Sequence, residues 1–260
     1  MPAVDYLPRK LYNAFTRTGF SSDPLKALIA LQGNPEYVSK WEDFLGAPTD
    51  TWPAGYGYPA TIGTGTEVIG ITSAAGGTLT LTTGNAGSDT AGQGFGLNWS
   101  GDRGFYFICR LKMTTRITNV KFECGMTDAV DDDGAVTTKA TPAFTATDCA
   151  LFVLDTTEDA AVTFVSNGGT TDANADWSGT LAADTYFVVE IVGRGPTDTT
   201  GDNVMGFING QLVGSGNING ASRLTPWWYI EDLAQSAATT LTVDYWGCIG
   251  PRVAQWGNAT

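Results

Sequence analysis

Along most of this chain apolar and polar residues alternate with a period of two, the pattern of half-buried β-strands. In GFYFICRLKM (104–113) the alternation puts Phe105, Phe107, Cys109 and Leu111 on one face and Arg110 and Lys112 on the other. ITNVKFECGM (117–126) repeats it, with Val120, Phe122, Cys124 and Met126 on one side and Lys121 and Glu123 on the other. Two consecutive strands with their charges on one side predict a solvated outer sheet face. In LTVDYWG, strict alternation places Leu241, Val243 and Tyr245 together and Thr242, Asp244 and Trp246 opposite.

Further strand-like runs occupy 67–72, 77–84, 95–100, 149–156, 161–166, 185–193, 204–208, 211–214, 226–230 and 240–250, separated by Gly, Asn, Asp or Pro clusters. No helical period intervenes, so the order predicts an antiparallel sandwich or barrel rather than βαβ units. Asn209-Gly210, between VMGFI and QLVG, predicts a two-residue type I′ hairpin, because both central positions need positive φ. Val204, Gly206 and Ile208 then share one face, with Met205 and Phe207 on the other. The longest irregular stretches are 42–66, 127–143 and 167–184.

The start of the chain breaks this pattern. In SSDPLKALIALQGNP, Asp23 caps, Pro24 suits the first helical position, Leu25, Leu28 and Ile29 form a stripe, and Gly33 and Pro35 stop the helix. Upstream, Tyr12 and Phe15 are interleaved with Arg9, Lys10 and Arg17. The expectation is an N-terminal arm with a short helix over 1–40 and a β-sandwich body over 41–260. The arm is too short to fold alone and must dock on its own body, a second copy or another protein.

Charge sharpens the division. The chain carries a net charge of −13 with a pI near 4.2. Residues 1–41 hold five basic against three acidic residues, whereas the rest holds nine against twenty-four. An acidic body repels phosphate backbones, which argues against nucleic acid as a partner. The opening residues lack the apolar core of a signal peptide, and no apolar run approaches the ~20 residues that cross a bilayer. The expectation is a chain made and folded in a cytoplasm, with no membrane partner.

The chain has no His. That excludes Ser-His-Asp and Cys-His catalysis and His-ligated metals. A sandwich glycosidase needs two carboxylates about 5–10 Å apart. Glu231 and Asp232 are adjacent and point to opposite faces of a strand, and Asp244 stands alone. No enzyme activity and no cofactor are expected. The cysteines Cys109, Cys124, Cys149 and Cys248 sit inside strand-like runs without C-x-x-C spacing. They read as buried thiols acting as small hydrophobes, with a cross-strand disulfide as the alternative.

Two features bear on ligands. TDAVDDDG (127–134) gathers Asp128, Asp131, Asp132 and Asp133 before Gly134, read as a solvated loop tip or a calcium loop of irregular spacing. Trp52, Tyr56 and Tyr58 share a Gly/Pro loop, and Trp227-Trp228-Tyr229 are consecutive, so one Trp of the pair must face outward. That ring has three uses, ranked as subunit contact, packing within the chain, and sugar stacking. The sequons at Asn98 and Asn258 carry no weight without secretion.

The ordered series WEDFLG, TLTLTTG, GLNW, RGFYFICRLK, FECGMTD, TYFVVEIVG, MGFINGQLV, LTPWWYIED and LTVDYWG resembles the concanavalin A-like (laminin G-like) jelly roll of tailed-bacteriophage virion proteins, over residues 41–252. The resemblance implies a two-sheet antiparallel jelly-roll sandwich and a non-enzymatic virion protein, best a capsid decoration (cement) protein that forms a trimer. Arg9, Lys10 and Arg17 would then pair with acidic groups of the phage capsid or another virion protein. Tyr12, Phe15, Leu25, Leu28 and Ile29 would bury apolar area there. The alternative is a carbohydrate-binding module on a phage tail or fibre, with a host glycan as partner. Fold alone does not decide between them.

Overall fold

The computed structural model describes residues 37–44, 61–65, 67–72, 77–114, 116–168, 173–195, 202–218, 222–233 and 237–251. The arm residues Arg9, Lys10, Tyr12, Phe15, Arg17, Leu25, Leu28 and Ile29, the loop aromatics Trp52, Tyr56 and Tyr58, and Asn258 lie outside them.

In chain order the strands begin with β1 Tyr37–Glu42, β2 Thr61–Thr64, β3 Val68–Thr72, β4 Thr78–Thr82, β5 Thr90–Gly94 and β6 Trp99–Ser100. Next come β7 Phe105–Met113, β8 Val120–Thr127, β9 Val136–Thr138, β10 Ala143–Phe144, β11 Cys149–Asp155 and β12 Val162–Asn167. The last are β13 Ala173–Asp176, β14 Phe187–Gly193, β15 Val204–Ile208, β16 Gln211–Gly216, β17 Arg223–Asp232 and β18 Thr240–Pro251. The first sheet runs β16-β15-β14-β7-β18-β4-β3, with β1 also on β18; the second runs β13-β12-β11-β8-β17-β5-β2, with β6 on β17. Strands distant in sequence lie side by side, as in β7–β18 and β8–β17, and both pairings are antiparallel. This is the expected two-sheet antiparallel jelly-roll sandwich. The expected boundary at 40/41 falls inside β1, whose Tyr37–Glu42 pair with Trp246–Pro251.

The alternation of β7 and β8 fills the space between the sheets: Phe105, Phe107, Cys109, Leu111, Val120, Phe122, Cys124 and Met126 are all fully buried there. A block of aromatic rings closes one region of this core, with Trp228 to Trp246 at 5.3 Å, Phe95 to Trp246 at 4.9 Å and Phe107 to Trp228 at 6.2 Å. All four cysteines are buried free thiols, so the cross-strand disulfide is not formed. Burial pushes the thiols of Cys124, Cys149 and Cys248 well up, which keeps them protonated and inert.

The Asn209-Gly210 turn forms as expected, with φ of 50° and 74° and Ile208 paired to Gln211. A Cβ on Gly210 would meet nothing within 4 Å, so only its left-handed backbone demands glycine. Gly210→Ala should therefore cost about 1 kcal/mol, read in thermal unfolding as a drop of a few degrees.

Three expectations are corrected. First, 95–100 is not one strand: Asn98 N–H bonds back to the Gly96 carbonyl at 2.8 Å, and only Trp99–Ser100 pair. Second, TAGQG (90–94), which none of the strand-like runs covered, is a buried strand despite its weak β-propensity. Gly92 is required because it lies beneath aromatic rings: a Cβ there would come within 2.7 Å of Trp227 Cη2. Third, the alternation of β18 breaks. Its register against β7 shifts between Val243 and Tyr245. This bulge leaves Leu241 and Val243 inside, puts Trp246 and Cys248 inside as well, and turns Tyr245 outward, opposite to the face expected for Tyr245 and Trp246.

Candidate functional site: a ribbon of aromatic and guanidinium groups

The outer face of the second sheet is closed. Lys121 and Glu123 point outward from β8 as the alternation requires, yet they are only 5% and 0% exposed. The predicted wet face is therefore corrected: a strap over residues 128–148, carrying the β9–β10 hairpin, lies across it. Ala135, Val136 and Ala146 of the strap pack with Leu151, Val153, Val165, Trp227 and Tyr229 in a second apolar cluster. Glu123 fastens the strap by accepting hydrogen bonds from Ala135 N–H (2.8 Å), Val136 N–H (3.0 Å) and Trp227 Nε1–H (2.9 Å), with Lys121 Nζ 3.5 Å away.

Trp227 is thus the outward ring of the Trp pair, stacked on Tyr229 at 6.0 Å and fully buried. Its role is packing within the chain, which removes it as a subunit contact or a sugar platform. Glu231 accepts from the Tyr229 hydroxyl at 3.2 Å. Burial raises the Glu231 carboxyl, with Lys121 and the Tyr229 hydrogen bond opposing. Tyr229 is 1% exposed, so its phenol does not reach a ligand.

The acidic run 127–134 is tied down at its base and solvated at its tip. Asp128 Oδ1 accepts from Thr147 N–H and Asp148 N–H, while Asp131, Asp132 and Asp133 are exposed. Among the described residues, no three acidic or cysteine side chains converge as metal ligands.

The outer face of the first sheet carries the more accessible chemistry. The bulge at Asp244 turns Tyr245 outward beside Trp41 of β1, ring centroids 5.0 Å apart. Directly across from Tyr245 on β7 is Arg110. The Arg110 guanidinium forms an ion pair with Asp244 and lies 4.1 Å from the Tyr186 ring centre, just before β14. Lys112 Nζ sits 4.8 Å over the same ring and 2.5 Å from Asp184. Trp41, Tyr245, Arg110 and Tyr186 thus form a ribbon across β1, β18, β7 and the start of β14, every member half-buried. Arg110 keeps 39% of its side chain exposed and Asp244 23%. Burial pushes the Tyr245 phenol up, with Asp244 adding to the shift and Arg110 opposing it, so the hydroxyl stays protonated and can donate.

Beside the ribbon, Tyr106 donates to Glu190 at 2.5 Å. Burial raises the Glu190 carboxyl, against the pull of that hydrogen bond. A folded-state pKa above the unfolded one gives stability below the unfolded value, lost as pH rises through the folded value. Glu190→Gln should therefore melt higher than the parent at pH 7. The difference should shrink to nothing as pH falls below the ordinary carboxylate range, in thermal scans across pH.

Sequence reasoning placed Arg110 and Lys112 outward but did not single out Trp41, Tyr186, Tyr245 or Asp244 as a site. The missed signal was parity: the apolar positions Leu241 and Val243 are odd, whereas Trp246 and Cys248 are even. Such a change of phase inside one strand marks a bulge.

No protein-family model matches the chain, and no curated protein matches its sequence. Solved structures do match its fold. A protein of unknown function from Shewanella oneidensis MR-1 aligns with a TM-score of 0.57 at 9% identity, over 86% of this chain and 90% of that one. The carbohydrate recognition domain of Emp47p aligns at 0.53 and 9% identity, over 83% and 95%. The binding domain of botulinum neurotoxin DC, in complex with SialylT, aligns at 0.50 and 11% identity, over 84% of this chain and 48% of that one. At these identities the likeness is one of fold.

Proposed function

We propose that this chain is a non-catalytic glycan-binding jelly-roll module, carried on the virion of a tailed phage. The observation that carries the glycan reading is the ribbon: aromatic rings at both ends and a hydrogen-bonding Arg–Asp pair between them. Sugar sites combine apolar ring surface with a few placed polar groups, and these residue types supply both. Two of the similar folds are named for what they bind, a carbohydrate recognition domain and a domain complexed with SialylT. The virion setting rests on the sequence resemblance.

Binding should be sought on a glycan array and measured by calorimetry. Trp41→Ala and Tyr245→Ala should each weaken it about tenfold or more, as for buried aromatic contacts at other interfaces, with melting temperatures showing the fold intact. Retention of full affinity in both variants would remove the ribbon as the site.

A second reading, capsid decoration through the N-terminal arm as part of a trimer, is favoured by the charge split. Net positive residues 1–41 precede a body with twenty-four acidic and nine basic residues. Here Arg9, Lys10 and Arg17 grip an acidic shell. Removing residues 1–36 should abolish particle binding and leave sugar binding intact; particle binding that survives the truncation would remove the arm as the attachment device.

A further inference from the structure

Resting on the glycan reading, we infer that the ribbon takes an uncharged oligosaccharide chain lying across the strands, and that Asp244 enforces this choice. Both cations of the site are neutralised within it. Arg110 is paired with Asp244 and stacked on Tyr186, and Lys112 is paired with Asp184 over the same ring. Tyr245, its phenol raised, adds no charge. The ribbon therefore offers hydrogen-bond donors and acceptors without net charge, on a protein whose net charge is −13. An anionic sugar would meet no unneutralised cation and would enter a repulsive field. A neutral sugar loses nothing by approaching, and its paired hydroxyls match an acceptor (Asp244) beside a donor (Arg110).

The geometry also sets direction and length. The four members come from adjacent strands, so a ligand touching all of them must cross the strands rather than follow one. Three strand spacings cover roughly 14 Å, and the members also step from the level of Ile108 to that of Lys112, so the ribbon runs obliquely and takes about three to four sugar rings. Ring surface lies at each end, Trp41 with Tyr245 and then Tyr186, and the Arg110–Asp244 pair lies between. That order suits sugars stacking at the ends of the ligand and hydrogen bonding through hydroxyls in its middle.

The test is calorimetry on the full chain with neutral oligosaccharides of two to five units and with uronate-containing ones, at low and high salt. Affinity for neutral ligands should climb to about three or four units and then level off, with Kd changing less than about twofold with salt. Asp244→Asn leaves Arg110 without its counter-charge and should gain affinity for uronate ligands by about fivefold or more. Circular dichroism checks that this variant folds. Preference of the parent for uronates with a steep salt dependence, or an Asp244→Asn variant indifferent to ligand charge, overturns the inference while the glycan reading stands. If no glycan binds and Trp41→Ala instead changes the mass measured by light scattering, the glycan reading falls with it, and the ribbon is a contact between copies of the chain.

Discussion

Glu123→Ala will unfasten the strap from the second sheet and remove about 3–5 kcal/mol from the unfolding free energy, the usual cost of breaking a buried charge pair from one side. The carboxylate has no exposure. It is the common acceptor for Ala135 N–H, Val136 N–H and Trp227 Nε1–H, and it faces the nearly buried Lys121. With alanine there, those N–H groups lose their shared acceptor in a site water does not reach, and the ammonium is left with the Asp133 carbonyl at 3.3 Å and the face of the Tyr229 ring at 5.4 Å. Glu123→Gln retains one acceptor oxygen and should cost less than half as much. Denaturant unfolding gives the energies, and hydrogen exchange at Ala135 and Val136 gives the location. Unchanged protection at those two amides would show that apolar contact holds the strap without the carboxylate.

The second large effect separates two neighbouring tryptophans. Trp228→Ala should destabilise the whole sandwich by about 3–5 kcal/mol. The ring stands between the sheets against Phe107 and Trp246, and its Nε1–H points at Cys109 Sγ, 3.2 Å away. Loss of such a ring opens a void that facing strands cannot close without shifting both sheets. For a domain of this size the melting temperature should drop by roughly 10 °C. Trp227→Ala removes an equally buried ring, but one on the outer side, stacked on Tyr229 beneath the strap. Its effect should concentrate in the strap, with faster exchange at Ala135 and Val136 and a smaller loss of global stability. Equal, global losses from both variants would mean that strap and sandwich unfold as one unit.

Much of the body was legible because a strand reports its own faces. Phe105 to Leu111 and Val120 to Met126 alternate, and a sheet packed on one side buries alternate residues whatever its partner is. The hairpin was equally local, since Asn209 and Gly210 adopt positive φ through their own chemistry. The site was not legible in this way. Tyr245 faces Trp41 only because one extra residue, Asp244, shifts the register between β18 and β7, and Arg110 reaches both Asp244 and Tyr186 only because β14 pairs with β7 on its other side.

The alternation along the chain, its lack of histidine and its Asn-Gly turn fix an antiparallel all-β architecture and exclude imidazole chemistry without reference to any contact. Which outer face is closed was decided by tertiary structure. Lys121 and Glu123 have the same pattern in sequence as Arg110 and Lys112, yet the first pair is sealed under a strap and the second is not. Alternation is set by backbone geometry within a strand, whereas coverage depends on where a segment distant in sequence comes to rest.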